Sequence, residues 1–320
     1  MALPLARALP DVSRLAFGCM GLGGGWDQSP LTAQDEQHAF AAVEAALQAG
    51  INLFDHADIY TFGKAEQVFG RILAAQPELR EQIYLQSKCA IRFADNEQVG
   101  RYDFSAEYIL ASVEQSLRRL NTEYLDLLLL HRPDPLMQAD EVAAVFEHLH
   151  SSGKVRHFGV SNMGWAQLQL LQHSLSQPLL VNQLPLNLAE LDWLDEGVLL
   201  GNPERRGSHY GYGTLEYCQQ QGIQLQSWAP LAQGVFSGAS PRNAQQQVTA
   251  ELVKQLAASY QCSPESIVLA WLLRHPAAIQ PVIGSSNPAR IAACAQAEQL
   301  NLSREHWYQL YVSSRGRPLP

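Results

Sequence analysis

The stretch NLFDHADIYTFGKAEQVFG, residues 52 to 70, puts Asp55, His56, Asp58 and Tyr60 directly after the apolar run INLF. Carboxylates, an imidazole and a phenol hold, give or take protons, and the end of a buried strand is where such groups first meet water. Other chemistry-bearing residues recur at the same place relative to other apolar runs. Lys88 follows QIYLQS, His131 follows YLDLLLL, and Ser161 with Asn162 follows VRHFGV. Gln183 lies in LLVNQL, Trp228 in IQLQSWA, and Ser285 with Ser286 after IQPVIG. Each step is roughly one strand plus one helix, so neighbouring parallel strands would bring these side chains to one mouth.

Positioning them this way requires a regular alternation of elements. Short apolar runs alternate with helix-period segments such as AQDEQHAFAAVEAALQAG, which ends in a glycine suited to a helix C-cap, and SAEYILASVEQSLRRL, which Ser105 can cap. The strand candidates are SRLAFGCM, INLFD, QIYLQSK, YLDLLLLH, VRHFGVS, LLVNQL, IQLQSWA and IQPVIGSS. Runs such as YLDLLLL lack polar alternation, as strands buried on both faces of a parallel sheet do. Eight βα units favour a (β/α)8 TIM barrel, with an open doubly wound sheet as the alternative. No linker or composition change divides residues 1–320, which read as a single domain. The polar stretches 91–104, 189–214 and 232–246 each follow a strand and belong on the barrel's C-terminal face, where active sites sit.

Composition narrows the partners. Of 320 residues, 47% are hydrophobic and 17% charged, which fits a globular chain with a large core. A net charge of −9 disfavours nucleic acid and anionic membranes, leaving small molecules as partners. The five cysteines, Cys19, Cys89, Cys218, Cys262 and Cys294, are scattered and odd in number, which reads as reduced thiols in a cytoplasm. Arg7 and two prolines interrupt the N-terminal stretch MALPLARALPDV, against a secretory signal, and no apolar run is long enough to span a membrane. Nothing in the sequence fixes an oligomeric state.

The motifs FDHADIY, QSK, LLLLHRPDP, GKVRHFGVSN, VNQLPLN, SWAPL and PVIGSSNPARI, in this order over nearly the whole chain, resemble the aldo-keto reductase superfamily, most of all its bacterial YdhF-type oxidoreductases. The resemblance implies a catalytic tetrad of Asp55, Tyr60, Lys88 and His131. Reducing a carbonyl places negative charge on oxygen, so an acid must supply a proton. Tyr60 would be that acid. Lys88 would lower the phenol's pKa, Asp55 would keep Lys88 charged, and His131 would orient the carbonyl. Without this context an Asp–Lys pair is more often a structural salt bridge, and a loop tyrosine a packed aromatic. His56 and Asp58 map to no tetrad position and are expected to support the loop.

No side chain delivers hydride, so a nicotinamide must, and its phosphates need a site. In IGSSNPAR, Asn287 can cap a helix that starts at Pro288, and a helix N-terminus attracts phosphate. Arg290 adds positive charge and Ser285 and Ser286 add hydroxyls. The stretch has no carboxylate for a ribose diol, which favours NADP(H). Gly284 stands where many relatives carry a lysine, which leaves NAD(H) use open. By similarity, Ser161, Asn162 and Gln183 would bind the carboxamide and Trp228 would stack on the nicotinamide. Read alone, Ser161 and Asn162 are an ordinary turn and Trp228 is core.

The glycines of GCMGLGGGW, residues 18 to 26, lack dinucleotide spacing, which argues against a Rossmann reading. By resemblance, Gly18, Cys19 and Met20 would line the cofactor and substrate side of the first βα loop. Met20 replaces a common tryptophan, and Trp26 is a candidate to restore an aromatic wall. The sequence shows no recognised metal-ligand pattern. Arg205 and Arg206 could meet acidic substrates but are expected to meet solvent. The leading function is NADPH-dependent reduction of aldehydes or ketones. A cofactor-sensing regulatory module is the alternative, and a Schiff-base lyase with Lys88 as nucleophile is a third reading that Asp55 opposes, because it would raise the lysine's pKa.

Overall fold

The computed structural model describes residues 2–200 and 211–320. Apolar runs form the strands β1 (Ala16–Gly18), β2 (Leu53–Asp55), β3 (Tyr84–Cys89), β4 (Ile91–Arg92), β5 (Arg101–Tyr102), β6 (Leu125–Leu130), β7 (Val155–Ser161), β8 (Leu179–Leu184), β9 (Gln224–Ser227) and β10 (Gln280–Ile283). All but β4 and β5 lie parallel in a closed barrel, in the order β1, β2, β3, β6, β7, β8, β9, β10. Pairing of Ala16 with Val282 closes the ring, so the fold is a (β/α)8 barrel and not an open sheet. The helices are α1 (Ala33–Gln48), α2 (Lys64–Ala75), α3 (Ala106–Leu120), α4 (Ala139–Ser151), α5 (Trp165–Ser174), α6 (Asp192–Val198), α7 (Thr214–Gln221), α8 (Ala244–Tyr260), α9 (Pro264–Leu273), α10 (Pro288–Ala295) and α11 (Arg304–Arg315).

Local chemistry sets the helix ends. Thr32 and Asp35 form a reciprocal capping box at the start of α1, and Gly50, at φ 76°, turns the chain out after it. Ser105 caps α3, whose chain leaves through Asn121 in the left-handed region. Strand β6 shows why its run lacks polar alternation. Leu125, Leu128 and Leu130 join the core between barrel and helices, while Leu127 and Leu129 point the other way into a second cluster with Leu53, Val181 and Val282. Leu5, Leu9 and Val12 of the N-terminal segment pack into that inner cluster, beneath the barrel.

The C-terminal face holds what the sequence left as loops. Within 91–104, β4 and β5 form a short antiparallel pair, with Ile91 opposite Tyr102. Asn243 in the 232–246 stretch caps α8. Within 189–214, α6 is described, but residues 201–210, which include Arg205 and Arg206, lie outside the described residues. Among the described residues no helix is long and apolar enough to cross a membrane.

Gly70 lets α2 meet the end of α3: a Cβ there would lie 2.0 Å from the carbonyl oxygen of Arg119. Backbone on both sides would have to move. Gly70→Ala is therefore expected to destabilise the protein by roughly 1–3 kcal/mol. A lower urea midpoint at unchanged slope would be the sign, and an unchanged midpoint would mean that the two helices separate freely.

Candidate active site

Strand register builds the site. Asp55 pairs with Gln86 across β2 and β3, and Lys88, two residues on, shares Gln86's face of the strand. Lys88 Nζ lies 2.7 Å from Asp55 Oδ2, 2.9 Å from the backbone oxygen of His56 and 3.0 Å from Tyr60 Oη. An ammonium has three protons to donate, and here each has an acceptor. His131 follows β6 directly, and its ring stands edge-on to that of Tyr60 with centroids 6.0 Å apart. The structure thus brings Asp55, Tyr60, Lys88 and His131 together.

The loop after β2 aims Tyr60 by an uncommon route. Thr61, Phe62 and Gly63 all have positive φ, at 47°, 57° and 85°. For a threonine and a phenylalanine that conformation is strained and needs outside support. Thr61 supplies some of it, donating its hydroxyl to the carbonyl oxygens of Leu22 at 3.0 Å and Tyr60 at 2.8 Å. The turn sends Tyr60 inward and leaves Phe62 at the rim.

Burial and charge decide the protonation states. Burial opposes the charge on Lys88, but Asp55 and Tyr60 outweigh it and raise its pKa. Tyr60 departs from the sequence expectation. Lys88 does pull its pKa down, yet burial is the larger effect and the net shift is upward. The phenol therefore keeps its proton at neutral pH. Burial, helped by Lys88 and Arg132, holds His131 well below the usual imidazole range, so its ring is neutral. Burial likewise keeps Cys19 a thiol, with Asp55 adding to the effect.

His56 and Asp58 are more deeply set than a supporting role required. His56 is fully buried edge-on to Phe69, neither ring nitrogen has a partner, and burial lowers its pKa to about 3. Burial, reinforced by the Glu66 carboxylate, raises Asp58 to about 8. Behind it, Glu66 accepts from Ser87 Oγ at 2.7 Å and from Arg119 at 2.8 Å. Neither His56 nor Asp58 reaches Lys88 with a side chain, although His56 does so through its carbonyl.

Across the mouth, Asn162 joins the expected cofactor residues into one unit. Its Nδ2 donates to Ser161 Oγ at 2.7 Å and to the carbonyl of His131 at 3.3 Å, and its Oδ1 accepts from Trp228 Nε1 at 3.0 Å. Arg132, absent from the sequence reading, lies over the Trp228 ring, 5.6 Å from its centroid. Gln183 differs from expectation. Its nitrogen donates inward, to Asp55 Oδ1 at 3.2 Å and Gln226 Oε1 at 2.9 Å, because alternation along β8 points it into the barrel.

At the end of β10, Asn287 caps α10 through the N–H of Arg290, as anticipated, and the N–H of Asn287 donates to Ser285 Oγ. Ser286 and Arg290 are exposed. Arg290 carries a partner that the sequence did not place there, Glu265 of α9, whose carboxylate accepts from its Nε at 3.2 Å. Gly18 abuts the end of β10, where a Cβ would press on Ile283 at 3.2 Å. Cys19 is fully buried and lies under the mouth, not on its surface, while Met20 is 52% exposed. Trp26 meets Phe62 edge-on at 5.9 Å, and Phe62 meets Phe93 at 5.1 Å, an aromatic rim drawn from three loops. Only Trp26 was singled out in the sequence.

A closed (β/α)8 barrel that gathers a phenol, an ammonium, a carboxylate and a neutral imidazole, groups able to hold or move protons, at its strand ends has the architecture of a barrel enzyme with one mouth. Residues 14–311 match the model of the aldo/keto reductase family, to which the chain belongs, and it is accordingly a nicotinamide-dependent oxidoreductase. It is 37% identical to the oxidoreductase YdhF of Escherichia coli (strain K12) over 320 residues, 99% of each chain. It is 35% identical to a 6-dehydroglucose reductase of Agrobacterium fabrum over 96% of each. An aldo/keto reductase from Klebsiella pneumoniae, solved with NADP and acetate, superposes with a TM-score of 0.74 at 25% identity, covering 97% of this chain and 93% of that one.

The raised Asp58 makes stability pH-dependent in a known direction. The unfolded chain releases this proton near pH 4 and the folded chain only near 8, so rising pH between these values favours unfolding. Asp58→Asn mimics the neutral acid. Its stability relative to wild type should grow by up to about 1 kcal/mol per pH unit from pH 5 to 8, measured by denaturant unfolding. A constant difference across that range would show that Asp58 is ionised in the folded protein.

Proposed function

We propose that the protein reduces aldehyde or ketone carbonyls to alcohols, using NADP(H) and Tyr60 as the proton donor. The observation that carries this reading is the buried chain from Asp55 through Lys88 to Tyr60, at 2.7 and 3.0 Å. As charge builds on the carbonyl oxygen, Tyr60 gives up its proton, and the Lys88 ammonium beside it stabilises the phenolate left behind. Asp55 keeps that ammonium in place and charged. His131, neutral and bordering Tyr60, offers a ring nitrogen to the carbonyl; its Nδ1 is buried without a partner. The phenol that burial keeps protonated suits an acid in the reductive direction.

The residues at the mouth fit a nicotinamide cofactor, which when bound supplies the hydride. Trp228, braced by Asn162, offers an aromatic face for stacking. Ser161, Asn162 and the Oε1 of Gln183 are the groups for its carboxamide. The N-terminus of α10, with Arg290, Ser285 and Ser286, suits its phosphates. The Glu265 carboxylate is committed to Arg290, so a 2′-phosphate meets a cation there and not a bare acid. The Klebsiella relative, solved with NADP, agrees with this choice. Gly18 and Met20 would border the same cavity, above Cys19. The substrate is a small molecule, and the free, mostly buried cysteines support a cytoplasmic setting.

The test is a fluorescence titration with NADPH and NADH, followed by a carbonyl panel that includes 6-dehydroglucose, the compound named for the Agrobacterium relative. Tight NADPH binding with consumption on at least one carbonyl is expected. Binding without consumption of any would point instead to a cofactor-sensing module. Tyr60→Phe should lower kcat by about 10²–10⁴ while NADPH affinity holds, and retained turnover would remove Tyr60 as the acid. Arg290→Ala should weaken NADPH much more than NADH in the same titration. Equal losses would mean that Arg290 does not read the 2′-phosphate.

A further inference from the structure

Below the tetrad the barrel interior is not wholly apolar: a polar layer lies between the site and the inner apolar cluster of Leu53, Leu127, Leu129 and Val181. Gln86, Gln183, Gln226 and Gln280 are all buried there, and none takes part in the chemistry proposed above through contact with substrate. Strand register brings them together: Asp55 pairs with Gln86, Gln183 with Gln226, and Gln226 with Gln280. Gln86 Nε2 donates to Asp55 Oδ1 at 2.5 Å and to Gln226 Oε1 at 2.9 Å. Gln226 returns a bond from its Nε2 to Gln86 Oε1 at 3.1 Å, giving a reciprocal amide pair, and sends its other proton to Gln280 Oε1 at 3.0 Å. Gln280 in turn donates to the carbonyl of Ser13 at 2.6 Å.

The polarity of this chain of amides is set by its ends. A carboxylate only accepts, so Gln86 and Gln183 must both turn their nitrogens toward Asp55. Both then turn those nitrogens toward Gln226 as well, which must present its oxygen. The Gln226 nitrogen is left to face the oxygens of Gln86 and Gln280, and the backbone carbonyl of Ser13 accepts the last proton. No amide can be flipped without setting two donors or two acceptors against each other in a dry interior, where an unmet polar group is expensive. Asp55 Oδ1 therefore sits in a fixed seat of two N–H groups, and Oδ2 is left pointing at Lys88.

We infer that Gln86 and Gln226 are positioning residues for carbonyl reduction, holding the Asp55 carboxylate in the orientation that pairs it with Lys88. The inference rests on the reductase reading of the site. It assigns a role in turnover to residues that touch neither the substrate nor the cofactor sites proposed above. Gln226 is the centre of the arrangement, since it alone bonds three other glutamines. Gln224, two residues earlier on β9, is equally buried but bonds only backbone, the carbonyls of Ala278 and Leu225 and the N–H of Leu5, and so is a built-in control.

The experiment compares Gln226→Met and Gln224→Met with the wild type in the full chain, using NADPH and 4-nitrobenzaldehyde from pH 5.5 to 10. Gln226→Met should lower kcat about tenfold with KM and NADPH affinity within about twofold. Its alkaline limb should move half a unit or more toward lower pH, because a Lys88 less firmly paired with Asp55 loses its proton sooner. Gln224→Met should lower the thermal midpoint and leave kcat and the limb in place. A folded Gln226→Met with wild-type kcat and limb, or with only a lower thermal midpoint, overturns the inference. Should Gln226→Met fail to fold, Gln280→Met reads the same link one bond further out, and either moves the limb in the same direction or overturns the idea. A carbonyl of the panel that the wild type does consume replaces 4-nitrobenzaldehyde where that aldehyde is not turned over. Absence of wild-type turnover on every carbonyl of the panel would overturn the reductase reading and this inference together, whereas wild-type turnover with an unmoved Gln226→Met profile overturns this inference alone.

Discussion

An ammonium held out of water needs an acceptor for each of its protons, and the three around Lys88 come from three different parts of one short stretch of chain. Asp55 ends a strand, His56 lends its carbonyl, and Tyr60 lies beyond a turn. Desolvation alone would lower the pKa of a lysine in this position, and the carboxylate, with Tyr60, reverses that tendency. On the reductase reading, loss of the charge would leave the phenol beside a neutral amine, with nothing to steady the anion it would become. The rest of the site can be understood as what keeps this one cation supplied with partners.

Two kinds of constraint meet in it. From below, strand register is rigid: side chains alternate faces, so the positions paired with Asp55 and two residues before Lys88 are the same residue, Gln86. From above, loops bend in ways ordinary residues resist. Thr61 and Phe62, Ala90 after β3, Asn162 after β7 and Ala229 after β9 all have positive φ at the carboxyl ends of strands. Strain of this sort persists only where surrounding structure over-determines it. Here hydrogen bonds supply part of that support, from Thr61 to the carbonyls of Leu22 and Tyr60, and joining Asn162 to Ser161, His131 and Trp228.

Much of this was legible in the sequence. Apolar runs marked each barrel strand, and the polar residues at their ends marked the mouth, because period-two alternation and a closed ring leave few other places for them. Tyr60 and Lys88 could be paired in advance by motif, but the balance between burial and charge on the phenol could not, since it depends on how completely the loops close over it. Gln86 and Gln226 carried a signal that was present and not used: each stands two residues before a residue already singled out, Lys88 and Trp228, and so faces the same way. The partnership of Arg290 with Glu265 and the aromatic rim of Trp26, Phe62 and Phe93 had no such signal. They join separate loops and helices, and spacing along the chain says nothing about them.

The glutamine array has one more consequence, kinetic in kind. Carboxamides neither gain nor lose protons near neutral pH, and apart from Tyr60 the partners of Lys88 are a carboxylate and a backbone carbonyl, which have no proton to pass on. Among the described residues, the floor of the barrel is thus an insulator: it transmits orientation and does not relay protons. On the reductase reading, an acid that has spent its proton can be recharged only from the open side, through the same aperture by which the alcohol leaves. Recharging and product departure then share a doorway, and crowding at the rim would slow both at once.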